Sequence, residues 1–189
     1  MLFLKKFRSG NKFIVFASLL FAMASCENDI QEVNIITQKD NYATESARHL
    51  EVIYSDSARV KARITTPELN RYYTVKEPYT ELPKGVKMEF YNDSLIVMST
   101  LTANYAKRND VTKEMLAKNN VVVVNRKGER LNTEELTWDE RTGLFTSNAY
   151  VKITKPDQII YGTGFRANED FTSYKISNIS GIITIQKSE

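Results

Sequence analysis

Residues 86–105 read Val86-Lys-Met-Glu-Phe-Tyr-Asn-Asp-Ser-Leu-Ile-Val-Met-Ser-Thr-Leu-Thr-Ala-Asn-Tyr105. Val86, Met88 and Phe90 alternate with Lys87 and Glu89. Asn92-Asp93-Ser94 then turns the chain, and Leu95, Val97, Ser99, Leu101, Ala103 and Tyr105 continue the alternation on one face. A period of two sends successive side chains to opposite faces of an extended chain, so this stretch is half-buried strand rather than helix.

The pattern extends in both directions. Upstream, Ala58, Val60, Ala62 and Ile64 alternate with Arg59, Lys61 and Arg63; downstream, Val121 to Val124 is β-branched throughout. Turn signals recur at 92–94, 108–110, 126–129, 139–143, 155–158, 168–170 and 178–181, the rhythm of an all-β fold. Short helical turns are expected only around Thr44–Leu50 and Val111–Ala117. Thr102, Thr133 and Thr163 mark a loose repeat, each followed by an apolar strand (Val121–Val124, Tyr150–Ile153, Ile182–Ile185). Units that cannot bury an apolar face alone stack on their neighbours, which gives two antiparallel sheets folded against each other.

The chain has 189 residues and a formal net charge of +3, but residues 1–25 hold four basic side chains and no acidic one. The rest carries 22 basic and 23 acidic residues, so the excess charge belongs to the N-terminus and gives no reason to expect nucleic-acid binding. One cysteine excludes an internal disulfide and a Cys-based zinc site. One histidine makes a His-based metal site or a conventional triad a poor expectation. No cofactor is expected.

Residues 1–12 are basic, and Phe13–Ala24 is an apolar run too short for a membrane span of roughly 20 residues. Met23-Ala24-Ser25-Cys26 resembles a bacterial lipoprotein box, with Met23 where Leu is more usual. The expected organisation is a signal peptide over 1–25, a lipid-anchored tether over 26–44 starting at Cys26, and a β-domain over 45–189. Acyl chains on the Cys26 sulfur would hold the chain on a membrane.

Seven stretches, in order, resemble one family. They are Tyr54–Lys61, Leu82–Gly85, Leu101–Ala106, Asn119–Gly128, Leu131–Asp139, Val151–Ile153 and Gly162–Phe165. Together, over about residues 45–186, they are similar to the periplasmic lipopolysaccharide-export family LptC, in the lipoprotein form of Bacteroidetes-like bacteria, and more distantly to the LptA/OstA jelly-roll proteins. The resemblance implies an open, twisted β-jelly roll. It also implies lipopolysaccharide as cargo, an inner-membrane ABC transporter (LptB/LptF/LptG) as donor and an LptA/OstA-like protein as acceptor. The localisation it implies is the periplasm, held at the inner membrane by Cys26 in place of the membrane helix of other members.

Individual residues offer little catalysis. His49 has no Ser or Cys motif around it. Glu134-Glu135 and Asp139-Glu140 are adjacent residues that a strand sends to opposite faces, so neither doublet can flank a glycosidic bond. Lys107-Arg108 and Arg126-Lys127 keep turns solvated or meet lipid phosphates. Trp138 is core or a rim aromatic, with sugar stacking as the alternative. Gly162 and Gly164 lie in a strand pattern, where glycine marks a bulge, a bend or a close approach.

Alternation assigns Val97, Leu101, Tyr105, Val121, Val123, Val151, Ile153 and Phe165 to an inner face able to hold acyl chains. Exposed edge strands, templates for strand addition, are expected near Val52–Ile64 (Val52, Tyr54, Val60, Ile64) and Phe171–Ile185 (Ile182, Ile183, Ile185). The leading expectation is a non-enzymatic lipopolysaccharide carrier. The alternative is a lipid-anchored closed β-sandwich that binds glycan or another envelope protein.

Overall fold

The computed structural model describes residues 42–184. All regular structure among them is antiparallel strand. Cys26, the signal and tether assignments before residue 42, and Ile185 lie outside the described residues.

The strands are β1 (Glu45–Asp56), β2 (Arg59–Tyr72), β3 (Tyr79–Leu82), β4 (Val86–Tyr91), β5 (Val97–Ala103) and β6 (Tyr105–Asn109). They continue with β7 (Glu114–Asn125), β8 (Arg130–Asp139), β9 (Leu144–Ser147), β10 (Val151–Thr154), β11 (Gln158–Asn168) and β12 (Tyr174–Thr184). The pairings describe one meander, creased lengthwise. β2 pairs with β4 through residues 62–65 and with β3 through 70–72. β7 likewise divides between β5 and β6, and β8 and β11 each divide between β10 and β9. One half-sheet contains β4, β5 and β10, the other β3, β6 and β9. The long strands belong to both.

The crease has a chemical basis. His49, Asn119 and Asn120 have positive φ of 53°, 62° and 56°, and the β7–β8 register slips between Lys118 and Val121. Asn104 separates β5 from β6 and donates its backbone N–H to the Asn119 carbonyl at 3.0 Å. Thr66 is buried where β2 bends, its Oγ1 lying 2.8 Å from the Glu68 carbonyl and 2.9 Å from that of Gly85. Thr133 repeats this in β8, 3.0 Å from the Tyr150 carbonyl and 3.3 Å from that of Glu135. Each hydroxyl has a single proton to donate to one of its two carbonyls. Such bonds satisfy backbone acceptors freed where a strand leaves its ladder.

Folding at the crease brings the inner faces together. Phe90 of β4 meets Trp138 of β8 and Phe145 of β9 edge-on, each at 5.2 Å between ring centroids. Contacts of this kind add about 0.5–1.5 kcal/mol beyond burial alone. Ala62, Met88, Leu101, Val123, Leu136 and Val151 fill the remaining centre.

Several sequence expectations change. The helical turn expected at Thr44–Leu50 is the start of β1, held by pairing from Glu45↔Arg71 onward; the partner strand outweighs local propensity. The turn expected at Val111–Ala117 gives way to β7 at Glu114, with Met115 and Ala117 buried in alternation. The 178–181 turn signal lies inside β12, where it coincides with a register slip opposite Tyr161 and Gly162.

Candidate functional site

Six of the residues assigned to the inner face are buried between the half-sheets: Leu101, Val121, Val123, Val151, Ile153 and Phe165. Two are not. A bulge pairs Phe90 with Ser99 but Tyr91 with Val97. The extra residue moves Val97 out of the inner row, to 38% exposure. Asn104 changes the parity again, so Ala106 takes the buried position that alternation gave to Tyr105. Tyr105 instead donates its hydroxyl to Glu81, beside the stacked rings of Tyr72 and Tyr79. Burial and that carboxylate raise its pKa.

The interior opens at the β1–β2 end. A cleft of about 1030 Å³, counting space open to solvent, is lined by apolar Val52, Ile64, Leu69, Leu82 and Met115. Its rim carries Arg108, Asp110 and Glu140. Arg108 binds both Glu140 carboxylate oxygens, with Nη2 to Oε2 at 2.9 Å, and also pairs with Asp110. The Glu140 hydrogen bond, ahead of the opposing effect of burial, holds the Arg108 pKa above its ordinary value. With its donors so engaged, Arg108 fixes the rim rather than offering a free cation. Sequence reading missed Leu69, Leu82 and Met115, because Pro67, Pro83 and the 110–113 turn interrupt the alternation that would have revealed them.

The two turn-bearing margins meet along a seam. Tyr54 donates its hydroxyl to the Glu140 carbonyl at 3.4 Å. Ser99 of β5 donates to the Glu169 carbonyl at 2.5 Å, and Asn125 of β7 donates Nδ2–H to the Phe171 carbonyl at 3.4 Å. The loop between β11 and β12 therefore closes the opposite half-sheet. Phe171 is buried there, close to Phe145 and Phe165. A smaller recess of about 260 Å³, again counting space open to solvent, remains between Val123, Leu131, Ile153, Phe165 and Tyr174. Trp138 is core, with its indole N–H bonded to Glu169 Oε1.

Gly162 and Gly164 sit where β11 crosses the crease. A Cβ on Gly162 would come within 2.4 Å of the Asn178 carbonyl oxygen, and Gly164 has φ +70°. Among the described residues β1 and β12 each pair with one strand only, β2 and β11 respectively. The stretch Val52–Ile64 is thus a hairpin rather than one edge. Val52 and Tyr54 are on the outer strand, whereas Val60 and Ile64 are on β2, and Ile64 is paired on both sides, with Val52 and with Met88. Ile182 and Ile183 lie on the free strand β12, opposite Ile160 and Ile159, and are about half exposed.

His49 lies exposed on β1 at the crease, and Glu134 and Glu135 lie on β8. Glu140 is bound to Arg108, and Asp139 pairs with Arg141. Among the described residues no three His, Cys, Asp or Glu side chains cluster as metal ligands.

No curated protein matches the chain. A family model described as lipopolysaccharide-assembly, LptC-related, matches residues 13–179, a range that includes β1 to β11 and the first half of β12. On that match, the chain belongs to the LptC-related family and takes part in lipopolysaccharide transport.

Proposed function

We propose that this protein is a non-catalytic carrier. It receives lipopolysaccharide from the inner-membrane ABC transporter LptB/LptF/LptG and hands it to an LptA/OstA-like jelly-roll protein. The observation that carries this reading is the apolar interior of a creased sheet opening into the cleft at Val52, Ile64, Leu69 and Met115. Acyl chains entering there leave water at about 25 cal/mol per Å² of apolar surface, and no reacting group is needed. β1 would dock on the transporter and β12 on the acceptor, each by accepting a strand along its free side. Cys26 would carry the lipid that holds the chain at the inner membrane, in the periplasm, with residues 27–44 as tether.

The filled centre favours a second reading. Trp138, Phe90 and Phe145 are fully buried, as in a closed β-sandwich that binds glycan or another envelope protein. A carrier must part its half-sheets along the seam to pass acyl chains beyond the cleft.

Mass spectrometry of material crosslinked to the protein in living cells separates the two. Acylated glycolipid on interior residues supports the carrier. Crosslinks confined to proteins or free glycan on outer residues support the closed sandwich.

A further inference from the structure

The margin of the half-sheet formed by β4, β5 and β10 presents a row of hairpin tips. The tip between β4 and β5 breaks two ordinary rules. Leu95, Ile96 and Val97 are consecutive apolar residues, and their exposures are 62%, 41% and 38%. Leu95 also has φ 58°, a left-handed conformation in which a γ-branched apolar side chain is unfavourable. Neither feature improves the packing of the domain.

The tip is nevertheless firmly built. Asn92 Oδ1 accepts the backbone N–H groups of Ser94 at 3.0 Å and Ile96 at 2.9 Å. The Asn92 N–H donates to the Ile96 carbonyl at 3.1 Å, and the Leu95 N–H to the Asn92 carbonyl at 2.9 Å. Leu95 and Ile96 are therefore held outward by a closed network.

Charge flanks this wedge asymmetrically. Asp93 is neutralised by Arg59 at 2.6 Å and faces Lys61 at 3.9 Å. On the other side the β7–β8 turn lies alongside, the Arg126 N–H donating to the Met98 carbonyl at 2.8 Å. Arg126 and Lys127 are exposed, and their side chains form no ion pair with any described residue. A rigid apolar point beside unspent cations matches the boundary of an anionic bilayer, where acyl tails accept apolar side chains and headgroup phosphates accept cations. Strained residues that the fold does not require gather at working surfaces.

We infer that the Leu95-Ile96-Val97 tip, with Arg126 and Lys127, is a docking point for an anionic membrane surface, separate from the interior and from the free strands β1 and β12. Such a contact would orient the domain on the membrane.

Residues 41–189 contain every sheet pairing among the described residues and the whole described core, and form one compact unit. They contain no cysteine, so this piece can carry a single environment-sensitive fluorophore at Leu95→Cys. With vesicles of phosphatidylethanolamine and phosphatidylglycerol, free of lipopolysaccharide, the probe should brighten and shift to the blue. A probe at Val111→Cys, exposed on the opposite margin, should not respond. Adding Arg126→Gln and Lys127→Gln should weaken the Leu95 response about twenty-five-fold, on the basis of about fivefold for each cation. An unchanged Leu95 probe at saturating lipid would overturn the inference. So would an equal response at Val111, or shielding of Leu95 by raised protein concentration without lipid, which would assign the tip to a second copy.

Discussion

Trp138 donates its indole N–H to Glu169 Oε1 at 2.9 Å, and this bond ties the β11–β12 loop to β8 within the half-sheet that both share through β9. Burial raises the Glu169 pKa, only partly opposed by the indole and by Lys61. A raised carboxyl pKa means that the folded protein keeps a proton the unfolded chain has released. That contribution is complete below the ordinary carboxylate pKa and is lost as pH rises through the folded value. Glu169→Gln keeps an acceptor for Trp138 but does not titrate. Its Tm relative to the parent should therefore rise as pH is raised above the ordinary carboxylate range of about 4. A difference that does not change with pH would show that Glu169 titrates normally.

Gly162→Ala should destabilise the protein by about 2–3 kcal/mol, the upper range for forcing an extra carbon into a packed site. The added Cβ meets the Asn178 backbone oxygen, which cannot swing aside, and Ile176 Cγ2 at 2.6 Å. Gly128→Ala has open space around it but keeps φ +78°, so its cost should be about 1 kcal/mol. Urea denaturation of the two variants gives the comparison, and equal losses would mean the crease relaxes freely.

These glycines also show how far the sequence could be read. Alternation was sufficient for β4, the middle of β5 and the second half of β7, because each of those runs keeps one parity. It failed at Val97 and Tyr105, where one extra residue at a bulge and one bend at Asn104 reversed the faces. Nothing in the local sequence announces either event, since each depends on the neighbouring strand's register. The cleft was hidden for a related reason. Leu69, Leu82 and Met115 come from strands on three passes of the chain, and only the crease brings them together. The seam contacts of Ser99, Asn125 and Glu169 join residues up to 70 positions apart, beyond the reach of any periodicity.

The free side of β12 gives a paired prediction. Successive N–H groups along a strand point alternately to its two neighbours. Of Ile182→Pro and Ile183→Pro, one therefore removes a donor facing the open side and the other a donor facing β11. The first should abolish capture of the proposed LptA/OstA-like acceptor with an unchanged melt, and the second should lower Tm. Retained capture by both variants would exclude β12 as the docking strand.

Cys26→Ser should accumulate as an uncleaved precursor without acyl label, because the sulfur is the atom on which lipid would be placed. Metabolic labelling with a palmitate analogue reads this directly. Label on the variant equal to that on the parent would remove the lipid anchor from the proposal.

The carrier reading stands or falls on where lipid touches the sheet. Photo-crosslinking residues placed singly at Leu69 in the cleft, Leu101 in the interior and Tyr150, which is exposed and lines neither cavity, sample the path in living cells. Lipopolysaccharide should be captured at Leu69 and Leu101 and not at Tyr150. Capture at Tyr150 alone, or at no position in a chain that remains folded, would contradict passage through the creased sheet.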